Sequence, residues 1–273
     1  MPEGDTIFLV ARALHRALAG RIVTRFESML PALNRIDDDA PIAGRTIESV
    51  GARGKHLLMT FSGDLVLHTH LRMNGSWHIY RTGERWRRSR RDMRIVVATD
   101  AFEAVGFNVP IAEFLGPRQL ARHQELRLLG PDLLDAAFDG VETARRMRGR
   151  GADAIGDVLL NQHVVAGIGN VLKSEILFVA GIDPFAKAGD LSDTDLDRLI
   201  SVARQLISAN IQDRPQIRQA FGRRTTGSLD PNAKLWVYGR GGQPCRRCGT
   251  AIQMRKTGLD ARVSYWCPSC QRS

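Results

Sequence analysis

Cysteine is absent from the first 244 residues of this 273-residue chain, which excludes a thiol nucleophile or a disulfide from nine-tenths of it. Lysine is scarce, with five residues against 34 arginines, so each lysine is worth a separate question. Glutamate is missing altogether between residues 211 and 273. No apolar run approaches the roughly eighteen residues of a membrane-spanning helix. The acidic start MPEGDTIF lacks the basic and apolar regions of a secretory signal, so a reducing, cytoplasmic setting is expected. Internal repeats and low-complexity tracts are also lacking.

What the chain does have is a spacing. All four cysteines fall in the last 29 residues as Cys245-x2-Cys248-x18-Cys267-x2-Cys270. Each pair can grip one side of a tetrahedral Zn2+, and the two pairs together complete its coordination. A pair of disulfides is the alternative; a reducing compartment favours the metal. The basic charge is just as uneven. Between 211 and 273 twelve Lys/Arg face three Asp, whereas the first 210 residues are nearly neutral, although the whole chain carries +10. A second patch at 81–94 holds seven arginines against Glu84 and Asp92. Basic charge beside a zinc module points to a polyanion, with nucleic acid first and a merely solvated surface as the alternative.

Along the chain, the apolar spacing predicts a helix over 3–19, capped by Asp5 or Thr6 and ended by Gly20. Strands are expected at 21–26, 46–50, 56–61, 64–70, 76–80, 94–98 and 103–107, a pattern of short strands that suits a sandwich or a barrel. Helices are expected at 153–161, 170–180 and 193–209, and a zinc-clamped hairpin with a turn near 258–260 closes the chain. The domains expected are therefore 1–127, a linker at 128–150, a helical domain at 151–239 and a zinc finger at 240–273.

Two places suggest chemistry. In QHVVAGIGN (162–170), Gly167 and Gly169 allow close backbone approach and Asn170 is placed to cap the following helix; helix-start amides there suit a phosphate. Gly and Asn also occur wherever two helices meet. At the N-terminus, Met1-Pro2 is a bond that methionine aminopeptidases cut, which would leave a secondary amine on Pro2. Such an amine can form an iminium with an aldehyde carbon, an electron sink that needs no cofactor. Glu3 beside it can move protons. Many proteins, however, begin Met-Pro.

Taken together, MPEGDT, RGKHL, HLRMNGSW, LLGPDLL, VVAGIGNVLKSEILF, VYGRGGQPCRRCGT and VSYWCPSCQ, in this order along the whole chain, resemble the formamidopyrimidine-DNA glycosylase / endonuclease VIII family. The resemblance implies a multidomain α+β protein: an N-terminal β-sandwich flanked by helices, then a helix–two-turn–helix domain with a four-cysteine zinc finger. It implies a bifunctional DNA glycosylase and abasic-site lyase of base excision repair, acting on a base flipped out of the stack. By position, Pro2 resembles the Schiff-base nucleophile and Glu3 the proton donor for base release. Lys55 resembles a phosphate ligand that assists β-elimination, and Arg262 a phosphate ligand also assigned to δ-elimination. His70 and Asn170 resemble further phosphate contacts, and Met73 the wedge that fills the gap left by the flipped base. For Met73 the alternative is core packing, for His70 a structural hydrogen bond, and for Lys55 an exposed strand-start lysine. Cys245, Cys248, Cys267 and Cys270 would hold one structural Zn2+.

Two departures bear on the substrate. Asp5-Thr6 stands where well-known members have Pro-Glu. Residues 103–117 contain no arginine, whereas the purine-specific branch reads the opposite base with an arginine on a loop after the β region. MPEG and FGRRTTGSLDPNAKLWVYGR resemble the endonuclease VIII-like branch, implying oxidised pyrimidines and tolerance of single-stranded or bubble DNA beside duplex. A bacterial-type, nucleoid-associated monomer is the family-level expectation. The alternatives are an oxidised-purine glycosylase, a catalytically silent damaged-DNA-binding relative, and a zinc-ribbon RNA module.

Overall fold

Alternating apolar residues build the first half of the chain into two antiparallel sheets. The computed structural model describes residues 2–212, 223–257 and 262–271 and divides into units Met1–Leu128 and Leu129–Ser273. In the first unit, helix α1 (Gly4–Leu18) precedes strands β1 (Arg25–Ser28), β2 (Ile47–Arg53), β3 (His56–Phe61), β4 (Leu65–His70), β5 (Ser76–Arg81), β6 (Met93–Ala98), β7 (Phe102–Phe107) and β8 (Ile111–Leu115). One sheet has the order β1-β6-β7-β5 and the other β2-β3-β4-β8. Leu57, Met59 and Phe61 of β3, alternate residues, share a core with Ile95 and Val97 of β6. Ile7, Ala11, Leu14 and Leu18 of α1, one helical stripe, complete it.

The start of α1 differs from the expected cap at Asp5 or Thr6. Glu3 is the N-cap residue, extended at φ −124, and its carbonyl accepts from Ile7 N–H. Asp5 instead accepts from the backbone and hydroxyl of Thr6, inside the first turn, where its negative charge still suits the helix dipole. Several elements were not visible in the periodicity, among them two in this region. Helix α2 (Pro31–Asp39) buries only Leu33, and β8 is a five-residue run that begins directly after Pro110.

β6 reads as a continuous apolar run because both its faces are covered. Val96 and Ala98 pack with Tyr80, Val105 and Phe107 in a smaller cluster to which Trp86 adds its ring. β5 and β6 are both antiparallel to β7 and so run parallel to each other, which obliges the connection 82–92 to cross the outer face of the sheet. That connection carries most of the arginines of the 81–94 patch, and they are exposed.

In the second unit α5 (Gly140–Arg148), α6 (Ile155–Leu160), α7 (Asn170–Ala180) and α8 (Asp193–Ile211) surround a core of Met147, Ile155, Leu159, Leu172, Ile176, Leu199 and Ala203. Two short helices, α3 (Pro117–Arg122) and α4 (Gln124–Arg127), end the first unit. The stretch 128–150, expected as a linker, holds α5, which packs on α8. Ser192 and Asp195 form a reciprocal capping box at α8. Strands β9 (Gln253–Thr257) and β10 (Arg262–Trp266) form the hairpin; its expected turn at 258–260 lies outside the described residues.

Candidate functional site

The first unit supplies two groups of candidates. Pro2 and Glu3 stand at the mouth of α1, where the unpaired amides of the first turn disfavour a positive charge on a nearby amine. Glu3 has no solvent exposure. Its side chain makes no capping hydrogen bond, so the position is not explained by the role that usually selects N-cap residues.

Lys55 sits in the two-residue turn Gly54-Lys55 of the β2–β3 hairpin. Gly54 has φ +57, the positive value that a II′-type turn requires at its first central residue. The neighbouring His56 pairs in register with His70, the last residue of β4, so Lys55 and His70 share one end of the sheet. His70 Nδ1 accepts from Arg72 N–H at 3.1 Å, which leaves the proton on Nε2. Burial, then the charges of Arg72 and Lys55 against an opposing Glu125, holds the His70 pKa down to about 4. At neutral pH its ring is thus an uncharged donor.

Met73 follows in a turn that only glycine can close. A Cβ on Gly75 would lie 2.6 Å from the Leu71 carbonyl oxygen. The turn leaves Met73 60% exposed, so core packing, the alternative for this residue, does not hold.

In the second unit Asn170 is the first residue of α7, and Gly169 rather than Asn170 is the N-cap. The one-residue difference matters. The Asn170 side chain is free of capping duty, and its Nδ2 donates to Val263 O at 3.0 Å while its buried Oδ1 has no partner among the described residues. Val263 adjoins Arg262, so the structure brings these two candidates together at the start of β10. Gly167, with φ +97, supplies the backbone reversal that leads into α7.

Sequence reading missed what holds this arrangement. Lys173 and Glu175, charged residues on the same helix, are fully buried. Lys173 Nζ donates to Ser264 Oγ of β10 at 2.8 Å. Glu175 accepts from the backbone N–H groups of Trp236, Val237 and Tyr238 and from the Thr225 hydroxyl. Charged residues at i and i+2 of a helix otherwise read as exposed; the signal was that LKSEILF leaves the helix no polar face.

The four cysteines meet the demands of a metal. Their sulfurs all lie within 4.8 Å of one another, with Cys245–Cys270 at 3.9 Å and Cys248–Cys267 at 3.4 Å. Tetrahedral Zn2+ with bonds of about 2.3 Å would hold sulfurs about 3.8 Å apart. Four protein thiolates leave no position for water, which fits a structural ion.

The three segments of the chain each match a known domain. Residues 1–122 match the formamidopyrimidine-DNA glycosylase N-terminal domain, 129–220 its H2TH domain, and 242–272 the zinc finger found in FPG and IleRS. The chain is 40% identical to a probable endonuclease 8 2 of Streptomyces coelicolor, over 99% of this chain and 94% of the relative. It is 38% identical to a DNA-(apurinic or apyrimidinic site) lyase of Mycolicibacterium smegmatis, over 99% of each. A Lactococcus lactis Fpg solved with abasic-site DNA has the same fold at a TM-score of 0.82, with 24% identity over 99% of this chain and 100% of that one.

Proposed function

The chain belongs to the formamidopyrimidine-DNA glycosylase / endonuclease VIII family, and from that premise we propose how its residues carry out glycosylase and abasic-site lyase chemistry on damaged DNA. The observation that carries the reading is the buried Glu3 carboxyl next to Pro2 at the positive end of α1. The secondary amine of processed Pro2 attacks C1′ of the damaged nucleotide. Glu3 moves the protons that base departure and sugar-ring opening require. The resulting iminium withdraws electrons from C2′; loss of a C2′ proton expels the 3′ phosphate, and a second elimination expels the 5′ phosphate. Lys55, His70, Asn170 and Arg262 bind phosphates around the lesion, His70 through its Nε2–H. Met73, exposed and apolar, fills the space the flipped base leaves.

Cys245, Cys248, Cys267 and Cys270 hold one Zn2+, whose contribution is structural: it fixes the hairpin that carries Arg262. Serine in place of Cys245 or Cys267 is therefore expected to release zinc and abolish DNA binding. Arg262→Ala should keep stoichiometric zinc and lose strand cleavage. A chromogenic chelator read alongside cleavage of an abasic oligonucleotide separates the two, and zinc loss from Arg262→Ala would contradict the assignment.

Oxidised pyrimidines are the favoured substrates. Relatives named endonuclease 8 and the arginine-free segment 103–117 support this reading. Thymine glycol and dihydrouracil in otherwise matched duplexes should be excised faster than 8-oxoguanine opposite cytosine, with single-stranded and bubble substrates still cleaved. The reverse order would reassign the enzyme to oxidised purines, and no borohydride-stable adduct on any substrate would favour a silent relative. The bacterial relatives support a nucleoid-associated role, and among the described residues no helix is long and apolar enough to cross a membrane.

A further inference from the structure

Beneath the Lys55–His70 end of the second sheet lies a chain of hydrogen-bonded side chains that the chemistry above does not use. His56 Nδ1 and His68 Nε2 are 2.8 Å apart, His68 Nδ1 and Glu113 Oε1 2.9 Å, and His123 Nε2 reaches the same Oε1 at 2.9 Å. His56 and His68 are buried, and the His56 ring meets His70 edge-on at 4.8 Å between centroids.

The proton positions follow from the two ends. Glu113 accepts, and the hydrogen bonds from His68 and His123 outweigh burial to keep its carboxyl below its usual range. His68 must therefore carry its proton on Nδ1, which leaves a lone pair on Nε2 for the Nδ1–H of His56. Burial keeps both rings neutral, holding His56 down to about 3.

His68, Glu113 and His123 lie close enough together to suggest a metal site. His123 argues against one. Its Nδ1 accepts from the Leu126 backbone N–H at 3.3 Å, so its proton sits on Nε2, the atom facing Glu113. A ligating nitrogen would need a lone pair there.

We infer that His56, His68, Glu113 and His123 form a metal-free hydrogen-bonded brace that positions His70 for the phosphate contact assigned to it above. The inference rests on that assignment. The brace anchors β3, β4 and β8 to one carboxylate, and the His56 ring it holds packs edge-to-face with the His70 ring. These four residues are positioning groups, none of them touching substrate.

The test measures affinity for a duplex carrying a tetrahydrofuran abasic analogue. Glu113→Ala is expected to weaken binding by about tenfold, the scale of losing charge-assisted hydrogen bonds. Glu113→Gln should restore most of it, because both bonds go to one oxygen and the amide keeps a carbonyl oxygen there. In a His70→Ala background, Glu113→Ala should add little further loss. Without DNA, 15N-resolved histidine spectra should show His68 protonated on Nδ1 and His70 on Nε2, with the His70 signals shifted in Glu113→Ala and not in Glu113→Gln. Should Glu113→Ala fail to fold, His123→Ala removes the outer donor alone and should act in the same direction.

Fully additive losses where His70→Ala itself weakens binding, or His70 signals indifferent to Glu113→Ala, would overturn the brace. So would a second zinc per chain that His123→Ala removes. If His70→Ala leaves affinity unchanged while Glu113→Ala still shifts the His70 signals, the phosphate role of His70 fails and the brace stands.

Discussion

Protein that retains Met1 is expected to form no borohydride-stable adduct with abasic DNA and to cleave it about a hundredfold more slowly, or worse. In the unprocessed chain the Pro2 nitrogen is a tertiary amide with no proton to lose and a lone pair delocalised into the carbonyl. The amine that remains belongs to Met1, displaced by one residue, about 3.8 Å between Cα positions. Reactions that depend on a held geometry tolerate displacements far smaller than this. The enzyme can be prepared with methionine aminopeptidase inhibited, and intact mass gives the processed fraction. Trapping that scales with that fraction supports Pro2; equal trapping by the Met1-bearing form would remove Pro2 from the mechanism.

Glu3→Gln is expected to separate the two activities. Base excision should fall by about 10²- to 10⁴-fold, the range for losing a positioned proton donor, while cleavage of a pre-formed abasic site largely persists. The substitution preserves shape in a position with no solvent exposure and removes only the group that ionises. No capping hydrogen bond is lost with the substitution. Single-turnover assays on a lesion duplex and on an abasic duplex give the two rates. If both collapse together, Glu3 is needed for the shared iminium chemistry or for folding, and melting temperatures tell which.

The legible parts of this chain were those set by local pattern. The stripe of Ile7, Ala11, Leu14 and Leu18 marked α1, and α7 appears over the residues expected of it. The cysteine spacing carried the metal centre, because a tetrahedral ligand set constrains sequence as strongly as space. Met73 was ambiguous until its exposure was known: nothing in HLRMNG distinguishes a surface residue from a core one, and only the structure shows it exposed. Asn170 was displaced by one residue from its expected capping position, and the displacement gives its amide to β10 instead. The brace was illegible for a simpler reason. His56, His68, Glu113 and His123 come from separate elements, and only the register of β3, β4 and β8 makes them neighbours.

The Glu175 carboxylate grips the segment that leads into the finger at three successive backbone amides, and no metal takes part in that grip. Two fasteners of different chemistry therefore act on adjoining stretches of chain: a carboxylate on the segment before the finger and a metal at the open end of its hairpin. Losing the metal need not release the carboxylate's grip. Chelation should act on a small cooperative unit whose unfolding stops near Tyr238, so that amide exchange quickens beyond that point while α7 stays protected. The finger can thus come apart and reassemble on a foundation that never left the fold.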